Sequence, residues 1–311
     1  MLRLRELVAA AAERLAAAGV PSPRHDAEVL AAHLLGVGRA ELLLEPEPDE
    51  SFAVRYAELV GRRAGREPLQ HITGVVHFRY LTLQVGPGVF VPRPETELTA
   101  GVAIDAAREV LRSGRTPVVA DLYAGSGPIA LSLAEEVPGA QVHAVETDDG
   151  AVGWLRRNIA AWQRDDRPGT GHQVPGQVLP AVPSSVSVHH VDVSGCLAGF
   201  DARLDVVAAN PPYVPTGARI RDPEVAAHDP AAALWAGADG LAAFRVLERT
   251  AARLLRPGGL VVAEHADVQG ESAPAVFAAT GRWADVTDHA DLTGRPRYLT
   301  ARRGGPRDPA R

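Results

Sequence analysis

From Thr96 onward, strand-like and helix-like segments alternate along the chain, and this alternation constrains the fold more than any other feature. Apolar runs such as PVVADL, AQVHAV and RLDVVAA are separated by amphipathic stretches such as GPIALSLAEEV and DGAVGWLRRNIAAW. Strands that alternate with helices form a parallel sheet covered on both faces, and near-continuous apolar strands are typical of such buried sheets. We therefore predict an α/β fold with a doubly wound, mostly parallel sheet.

The first 74 residues predict helices only and a small domain of their own. Apolar residues recur at helical spacing from Leu4 to Leu15. Ser22 and Gly36 stand where they would cap the two ends of a second helix. The stretch ESFAVRYAELVGRRAG predicts a third helix. These patterns predict a helical domain over residues 1–74.

The segment that follows has the character of β-structure. HFRYLTLQVGPGVFVPRPETE alternates apolar and polar residues across a Gly-Pro-Gly turn, which predicts a β-hairpin linker over residues 75–95. The α/β domain then covers residues 96–302. The Pro- and Gly-rich stretch 164–185 predicts a long surface loop, and residues 303–311 predict a disordered tail.

Composition excludes several classes of protein and site. A net charge of −6 argues against tight, nonspecific binding to nucleic acid. No apolar stretch is long enough to span a bilayer, because Arg, Glu or Asp interrupts every candidate. Cys196 is the only cysteine, so no internal disulfide forms and a reducing, cytoplasmic setting fits. The eleven histidines show no spacing that brings three ligands together, so we expect no metal site.

A glycine turn marks a candidate nucleotide-cofactor site. In VVADLYAGSGPIALSLA, Gly125 and Gly127 flank Ser126 between a strand and a helix, which lets a ligand approach the backbone. Glu146 closes the next strand 21 residues after Gly125, the spacing of an acid that holds a ribose diol. The turn lacks the third glycine of a dinucleotide motif and the lysine of a phosphate loop.

The acidic residues around this turn favour a cationic ligand. Asp121 opens the turn, and a carboxylate there repels phosphates but suits an ammonium group. S-adenosylmethionine carries an ammonium, a sulfonium and a ribose diol, and so fits Asp121 and Glu146. Asp192, at the end of the third strand, is placed to accept a hydrogen bond from the adenine amino group.

The run LDVVAANPPYVPTG marks the reacting end of the candidate site. Two prolines cannot donate to a sheet ladder, so the strand stops at Asn210. The Asn210 side-chain oxygen and the Pro211 carbonyl can each accept one N–H of a planar NH2 group, while Pro212 stiffens the turn. Tyr213 offers a ring face to a planar target and to a sulfonium. This segment predicts methyl transfer to an amide or base nitrogen beside the cofactor.

These motifs together resemble the protein-(glutamine-N5) methyltransferases that modify peptide-chain release factors, the HemK/PrmC family. The resemblance extends from Leu2 to Arg302. It is carried by the segments GREPLQHITG, GPGVFVPRPETE, DLYAGSGPIAL, NPPYVP, GADGLAAFR, LRPGGLVVAEH and DLTGRPRY. It implies a sheet of the class I methyltransferase type, an N-terminal domain that docks the release factor, a hairpin linker and a catalytic domain.

The same resemblance implies roles for individual residues. Asn210, Pro211, Pro212 and Tyr213 would hold the glutamine amide of a Gly-Gly-Gln loop, with Phe90 lining the pocket. The S-adenosylmethionine site would comprise Asp121, Tyr123, Ala124, Gly125, Ser126, Gly127, Glu146, Asp192, Val193 and Asn210. The expected partner is the release factor, with no membrane and no direct nucleic acid, and the expected state is a cytoplasmic monomer.

The chain departs from the family pattern at several positions. Tyr123 stands where the family usually has glycine or a small residue, and Val193 stands where a tryptophan often follows the third-strand acid. Near Asp229 the family often has a Glu-Pro pair, and the 164–185 loop is longer than expected. None of these departures touches Asn210 to Tyr213.

Three alternatives stay open at this point. NPPY also occurs in methyltransferases of adenine and cytosine amino groups, although the slightly acidic helical domain does not suit a nucleic acid. A glutamine of a ribosomal protein would fit the same motifs. A cofactor-binding module without turnover is a further possibility, which the intact Asn210–Tyr213 segment disfavours.

Overall fold

The fold was obtained as a computed structural model that describes residues 3–44, 46–164 and 183–305. The chain divides into two compact units. Unit 1 comprises Met1–Val75, Val85–Pro87 and Ile220–Asp229, and unit 2 comprises Val76–Gln84, Gly88–Arg219 and Pro230–Arg311. The predicted boundaries after residues 74, 95 and 302 stay predictions. Most of the predicted 164–185 loop and of the 303–311 tail lies outside the described residues.

Helices and strands are numbered here in chain order. The helices are α1 (Leu4–Ala17), α2 (Pro23–Leu35), α3 (Phe52–Ala64), α4 (Leu69–Thr73), α5 (Thr96–Arg112), α6 (Pro128–Glu136), α7 (Asp149–Arg164), α8 (Pro223–His228), α9 (Ala231–Leu234), α10 (Ala242–Leu254) and α11 (Ser272–Ala278). The strands are β1 (Val75–Phe78), β2 (Leu81–Gln84), β3 (Val118–Leu122), β4 (Gln141–Glu146), β5 (Ser185–His190), β6 (Leu204–Ala209), β7 (Leu255–Glu264), β8 (Trp283–Ala290) and β9 (Pro296–Arg303). No helix in the described ranges is both long and apolar enough to cross a bilayer.

Unit 1 is a bundle of short helices around its own apolar core. Leu15 and Leu30 are fully buried there, and the rings of Phe52 and Tyr56 stack with centroids 5.2 Å apart. The Tyr56 hydroxyl donates to the carbonyl oxygen of Ala27 over 2.8 Å, which joins α3 to α2. The helical character predicted for this region is confirmed.

The two predicted caps of α2 have different outcomes. Gly36 follows the helix with φ 67°, in the left-handed conformation that glycine adopts at no steric cost, and its N–H bonds to the last turn. Ser22 occupies the N-cap position, but its side chain makes no capping hydrogen bond, so that prediction is wrong. Pro23 instead begins the helix, because its fixed φ suits the first turn.

A buried arginine connects distant parts of the sequence within unit 1. The Arg63 guanidinium lies 2.7 Å from the Asp26 carboxylate and 2.8 Å from the Glu224 carboxylate. Arg66 adds a second ion pair to Glu224 at 2.9 Å. Helix α8 thereby belongs to unit 1, although its residues follow the Asn210–Tyr213 segment in the chain.

Unit 2 contains a seven-stranded sheet in the order β5-β4-β3-β6-β7-β9-β8. Strands β3 to β7 are mutually parallel, whereas β9 runs antiparallel to both β7 and β8. All six residues of β6 are buried, as a central strand covered on both faces requires. The predicted doubly wound, mostly parallel sheet is confirmed.

The hairpin of β1 and β2 turns at a different place from the one predicted. The two strands pair with each other, and the turn between them lies at Arg79 and Tyr80, with Arg79 at φ 51°. The Gly-Pro-Gly sequence at residues 86–88 follows β2 and does not join the strands. The guanidinium of Arg79 forms two hydrogen bonds to the buried Glu136 carboxylate, at 2.5 and 2.8 Å, which holds the turn in place.

Candidate active site

The predicted site residues converge at the carboxyl ends of three neighbouring strands. The turn after β3, Glu146 at the end of β4 and Asn210 directly after β6 line one pocket of unit 2. Ligands of open α/β sheets bind at such strand ends, where the strand order reverses. The predicted residues that line this pocket are Phe90, Asp121, Tyr123, Ala124, Gly125, Ser126, Glu146, Asn210, Pro212 and Tyr213.

The turn after β3 takes its shape from left-handed backbone and from β4. The N–H groups of Tyr123 and Ala124 both donate to the Val145 carbonyl, at 3.1 and 3.0 Å, and Tyr123 has φ 71°. A Cβ on Gly125 would meet no atom within 4 Å, so this glycine leaves space beside the turn. A Cβ on Gly127 would lie 2.7 Å from a Leu155 methyl group, so Gly127 is required for packing and does not line the pocket.

Glu146 fixes this turn through its carboxylate. One oxygen accepts from Gly125 N–H at 2.8 Å, and the other accepts from the N–H groups of Thr147 and Asp148 at 2.7 and 2.9 Å. A carboxylate has about four lone-pair positions, so the oxygen that faces Gly125 keeps one for a ligand hydroxyl. Glu146 is therefore held rigidly and still has acceptor capacity on the pocket side.

Asp121 and Ser126 present buried polar atoms that lack partners among the described residues. Each side chain is 1% exposed, and both the Oδ1 atom of Asp121 and the Oγ atom of Ser126 are without a hydrogen bond. The other Asp121 oxygen accepts from Ala130 N–H at 2.9 Å. Burial raises the pKa of Asp121 to about 7, against the opposing effect of that hydrogen bond. An ammonium and a hydroxyl would satisfy these atoms, so the residues fit S-adenosylmethionine.

The two residues predicted at the adenine lie outside the pocket lining. The Asp192 carboxylate accepts from Ser194 N–H at 2.8 Å and from the Ser194 hydroxyl, and these hydrogen bonds lower its pKa. Val193 is 3% exposed and packs in the core of unit 2 beside Cys196 and Leu247. Their assignment to the adenine stays a prediction, which the lining of the pocket does not support.

Asn210 leaves the end of β6 with its side chain held on one side only. Its Nδ2 atom donates to the Thr96 hydroxyl at 3.2 Å. Within the described residues, no group donates to the Asn210 Oδ1 atom or to the Pro211 carbonyl oxygen. Pro211 itself is buried and does not line the pocket with its side chain. Of these two oxygens, only that of Asn210 belongs to a residue that lines the pocket.

The backbone of Tyr213 and Val214 is fixed by residues from two other segments. The Gln269 side chain donates to the Tyr213 carbonyl at 3.1 Å, and Val214 N–H donates to the Leu234 carbonyl at 2.8 Å. Burial raises the pKa of the Tyr213 phenol, so the hydroxyl stays neutral near pH 7. The ring of Tyr213 lines the pocket, and its neutral hydroxyl is not a base near pH 7.

Phe90 forms a further wall of the pocket and is itself fixed by a cation–π contact. The Arg93 guanidinium carbon lies 5.0 Å from the centre of the Phe90 ring.

Among the described residues there is no group of three or more metal-ligating side chains. Burial raises the pKa of the Cys196 thiol to about 11, which keeps it protonated and unreactive.

Some pocket residues were not singled out from the sequence. Thr96 lies within the VPRPETE segment. Pro230, Ala232, Ala233 and Leu234 also line the pocket, but a long connection separates them from Tyr213 in the sequence. Glu264 ends β7, and Gln269 lies shortly after it and donates to the carbonyl oxygen of Tyr213. A sequence shows such residues poorly, because they reach the site through strand adjacency and not through spacing along the chain.

The fold defines a class I methyltransferase, with a glycine turn after the first strand of the sheet and the Asn210–Tyr213 segment after the fourth. The family of PrmC N-terminal domains matches residues 6–74. The chain is 52% identical to the release factor glutamine methyltransferase of Streptomyces coelicolor, over 96% of this chain and 98% of that protein. The chain belongs to the release factor glutamine methyltransferase family.

Two further relatives show how far this framework extends. The release factor glutamine methyltransferase of Mycolicibacterium smegmatis is 44% identical over 97% of this chain and 99% of its own length. The 4-amino-L-phenylalanine/4-methylamino-L-phenylalanine methyltransferase of Streptomyces pristinaespiralis is 40% identical over 88% of this chain and 87% of its own length. These two relatives are thus named for different methyl acceptors.

Proposed function

We propose that the protein transfers a methyl group from S-adenosylmethionine to the side-chain amide nitrogen, N5, of the glutamine in the Gly-Gly-Gln loop of peptide-chain release factors. One observation carries this proposal. The Asn210 Oδ1 atom and the Pro211 carbonyl oxygen face no donor among the described residues, and they lie beside a pocket whose unpartnered polar atoms fit the cofactor. The relatives named release factor glutamine methyltransferase, at 37–52% identity, support the same reaction.

The acceptor oxygens address the main difficulty of this reaction. An amide nitrogen is a poor nucleophile, because its lone pair is delocalised into the carbonyl group. Two fixed oxygens accept hydrogen bonds from its two N–H groups. They orient the nitrogen and stabilise the positive charge that builds on it during the transfer. S-adenosylmethionine, when bound, supplies a methyl group on a positively charged sulfur that leaves as a neutral thioether.

The proton balance requires no strong base from the protein. As the methyl group bonds to nitrogen and its bond to sulfur breaks, the nitrogen gains the positive charge that the sulfonium loses. One N–H proton then leaves, and the amide is neutral again. Because the Tyr213 phenol stays protonated, the proton passes to solvent after the transfer.

Residues of the turn after β3 hold the cofactor together with the carboxylates of Asp121 and Glu146. Asp121 binds the ammonium group, Ser126 supplies a hydroxyl, and Glu146 takes the ribose diol with its remaining lone pair. Phe90, Pro212 and Tyr213 line the acceptor side, where a flat, apolar surface suits an extended peptide. The site therefore distinguishes a charged cofactor end from an apolar substrate end.

The domains divide the work between docking and chemistry. Residues 1–74 dock the release factor, residues 75–95 form the hairpin linker and residues 96–302 carry out the methyl transfer. The exposed side chains of Leu43 and Leu44, which are 87% and 81% exposed at the end of a 3-10 helix, support a docking role for the first domain. The protein acts as a cytoplasmic monomer, where translation termination supplies its substrate.

A labelled-cofactor experiment tests the proposed function. The purified protein is incubated with methyl-labelled S-adenosylmethionine and, separately, with release factor, its Gly-Gly-Ala variant, DNA, ribosomes and 4-amino-L-phenylalanine. We expect label on the release factor alone, and its absence from the Gly-Gly-Ala variant locates the methyl group on the glutamine. Label on any of the other acceptors, with none on the release factor, would overturn the proposal.

A further inference from the structure

We infer that Thr96 and Glu264 determine which way the Asn210 side-chain amide faces, and that they act as positioning residues for the methyl acceptor. This inference rests on the proposed function, because it concerns the oxygen that would hold the glutamine amide. Neither residue contacts the reacting nitrogen directly. Their effect passes through the hydrogen bond between Thr96 and Asn210.

The sheet places Asn210 and Glu264 side by side. Ala209 of β6 pairs in register with Ala263 of β7, so the next residues, Asn210 just after β6 and Glu264 at the end of β7, are neighbours at the same edge of the sheet. Thr96, the first residue of α5, is 2% exposed and lines the pocket. The three side chains therefore meet at the end of two parallel strands, although they are far apart in the sequence.

The hydroxyl of Thr96 has a single hydrogen. This fixes the direction of the hydrogen-bond relay that runs from Asn210 through Thr96 to Glu264. The Thr96 hydroxyl lies close enough to the Glu264 carboxyl to act as its hydrogen-bond donor, and this interaction lowers the pKa of Glu264. An ionised carboxylate only accepts, so Thr96 must donate its hydrogen there. Its oxygen can then only accept from Asn210, which requires the Nδ2 atom to face Thr96, as observed at 3.2 Å. The Oδ1 atom of Asn210 is consequently turned away from Thr96 and toward the substrate amide that accepts the methyl group.

The reverse orientation would disable the site. If the Asn210 amide rotated, its NH2 group would face the NH2 group of the substrate, and two donors would oppose each other. Asparagine alone has little preference between the two orientations, because its oxygen and nitrogen are nearly the same size. The relay supplies that preference, since only one orientation satisfies an ionised Glu264.

The surroundings of Glu264 balance its charge without pairing it fully. The side chain is 1% exposed, and its Oε2 atom has no partner among the described residues. Burial raises its pKa to about 7, while Thr96, Arg297 and Arg93 lower it and Glu95 raises it. The Tyr213 phenol also faces this carboxyl and stays neutral. Glu264 thus holds the Thr96 hydrogen most firmly above neutral pH.

Three threonine variants test this inference. Thr96→Val keeps the shape but removes the hydroxyl, and we expect kcat to fall by about 10- to 100-fold, the effect of a misplaced reacting group. The KM for release factor and the Kd for S-adenosylmethionine should change little, because neither depends on the direction of the amide. Thr96→Ser should restore kcat, since it restores the hydroxyl.

Thr99→Val is the matched control. Thr99 lies one turn further along α5, is fully buried, and carries a hydroxyl without a partner among the described residues. Its replacement removes a buried hydroxyl from the same helix and should leave kcat unchanged. Equal kcat values for Thr96→Val and the wild type, with wild-type release factor methylated normally, would overturn the inference and leave the proposed function intact.

A second variant and a direct measurement keep the inference testable if the Thr96→Val protein does not fold. Glu264→Gln offers Thr96 a donor as well as an acceptor, so both amide orientations become possible and kcat should fall. In the wild type, kcat at saturating cofactor should fall as the pH drops below about 7, and this dependence should be lost in Glu264→Gln. An unchanged kcat and pH profile in Glu264→Gln would overturn the relay.

The ¹H–¹⁵N signal of the Asn210 side-chain NH2 group gives an answer that does not depend on the substrate. It is assigned from its loss in Asn210→Ala, and it should shift in Thr96→Val and Glu264→Gln but not in Thr99→Val. No shift in the first two variants would contradict the relay. A shift without any methylation of release factor by the wild type would contradict the proposed function instead.

Discussion

The side-chain amide of Gln269 lies directly behind Tyr213 and donates to its carbonyl oxygen over 3.1 Å. The same NH2 group donates to the Gly240 carbonyl at 3.2 Å, and the Gln269 oxygen accepts from Ala266 N–H at 3.0 Å. With 4% of its surface exposed, Gln269 is buried and almost fully satisfied. Gln269 therefore connects the Asn210–Tyr213 segment to two other loops of unit 2.

Replacing Gln269 should weaken the acceptor side of the site and leave the cofactor side unchanged. In Gln269→Leu the Tyr213 and Gly240 carbonyls lose a donor, a loss worth about 1–3 kcal/mol for each buried unsatisfied group. We expect lower thermal stability and lower kcat, with an unchanged Kd for S-adenosylmethionine, measured by calorimetry and by methyl transfer. Gln269→Glu should have the same effect, because its second oxygen would repel both carbonyls. A normal kcat in both variants would show that Tyr213 holds its position without this support.

Gly240 should tolerate no side chain, for a reason that a paired substitution isolates. It has φ 72°, and a Cβ there would lie 2.5 Å from the Tyr213 carbonyl oxygen. Gly258 has φ 81° and open space around the same position. Gly240→Ala and Gly258→Ala both carry the strain of left-handed backbone, but only the first displaces Tyr213. We expect a modest loss of stability in Gly258→Ala, a larger loss in Gly240→Ala and a fall in kcat for Gly240→Ala alone, and equal activity in the two variants would count against this reasoning.

Asn210→Ala should abolish methyl transfer and leave cofactor binding largely intact. The substitution removes the acceptor oxygen, whose loss is comparable to that of an oxyanion-hole donor and costs about 100- to 1,000-fold in kcat. The cofactor pocket keeps its turn after β3 and its two carboxylates. Calorimetry for the cofactor and labelled methyl transfer for the release factor measure the two effects. Comparable turnover by the variant would refute the role of Asn210 as acceptor.

Asp121 should make both cofactor affinity and stability depend on pH near neutrality. Its folded pKa is raised to about 7 from an ordinary value of 3.8, so the cofactor ammonium should bind more weakly below pH 7. In the free enzyme the native state holds this proton while the unfolded state releases it, so stability should fall as the pH rises from about 4 to 7. Asp121→Asn should bind the cofactor more weakly and lose the pH dependence of that affinity, while the fall of stability with pH should shrink to the part that Glu264, whose pKa is also raised to about 7, contributes. Calorimetry and urea unfolding across this pH range measure them.

The comparison variant for Asp121 is Asp192→Asn. The Asp192 carboxylate is engaged by Ser194 and lies outside the pocket lining, so its replacement should leave the cofactor affinity unchanged. A weaker affinity would instead restore the predicted contact between Asp192 and the adenine.

Unit 1 should depend strongly on the buried Arg63 and weakly on its neighbour Arg62. Arg63→Ala leaves Asp26 buried without its ion-pair partner, a change that typically costs about 3–5 kcal/mol. Arg62 is 45% exposed and pairs with Glu67 on the surface, where such pairs contribute about 0–1 kcal/mol. Denaturant unfolding followed by circular dichroism should separate the two variants. Similar midpoints for both would mean that the buried pair contributes no more than the exposed one.

The sequence predicted the parts of the site that lie close together along the chain. The glycine turn, Glu146 and Asn210 each follow directly from a strand, and strand ends of a parallel sheet meet at one edge. The supporting residues could not be predicted this way. Thr96 is 114 residues from Asn210, and their contact depends on how α5 packs at the end of β6.

The errors of the sequence analysis have equally local causes. The Gly-Pro-Gly sequence favoured a hairpin turn at residues 86–88, but Arg79 takes a positive φ and its ion pair with Glu136 stabilises the turn there. Ser22 has the right position for a cap, but the first turn of α2 forms on Pro23 without its hydroxyl. In both cases a residue of ordinary propensity is fixed by contacts that local pattern rules do not include.

The dependence of unit 1 on Glu224 also limits how the chain can be divided for study. Residues 220–229, which complete the helical unit, are encoded within the stretch that otherwise builds the sheet. A fragment that ends near residue 75 would lack the carboxylate that Arg63 and Arg66 share, and a fragment that begins there would carry α8 without its arginines. Full-length protein with point substitutions is therefore the sound starting material, and a deletion would alter both halves at once.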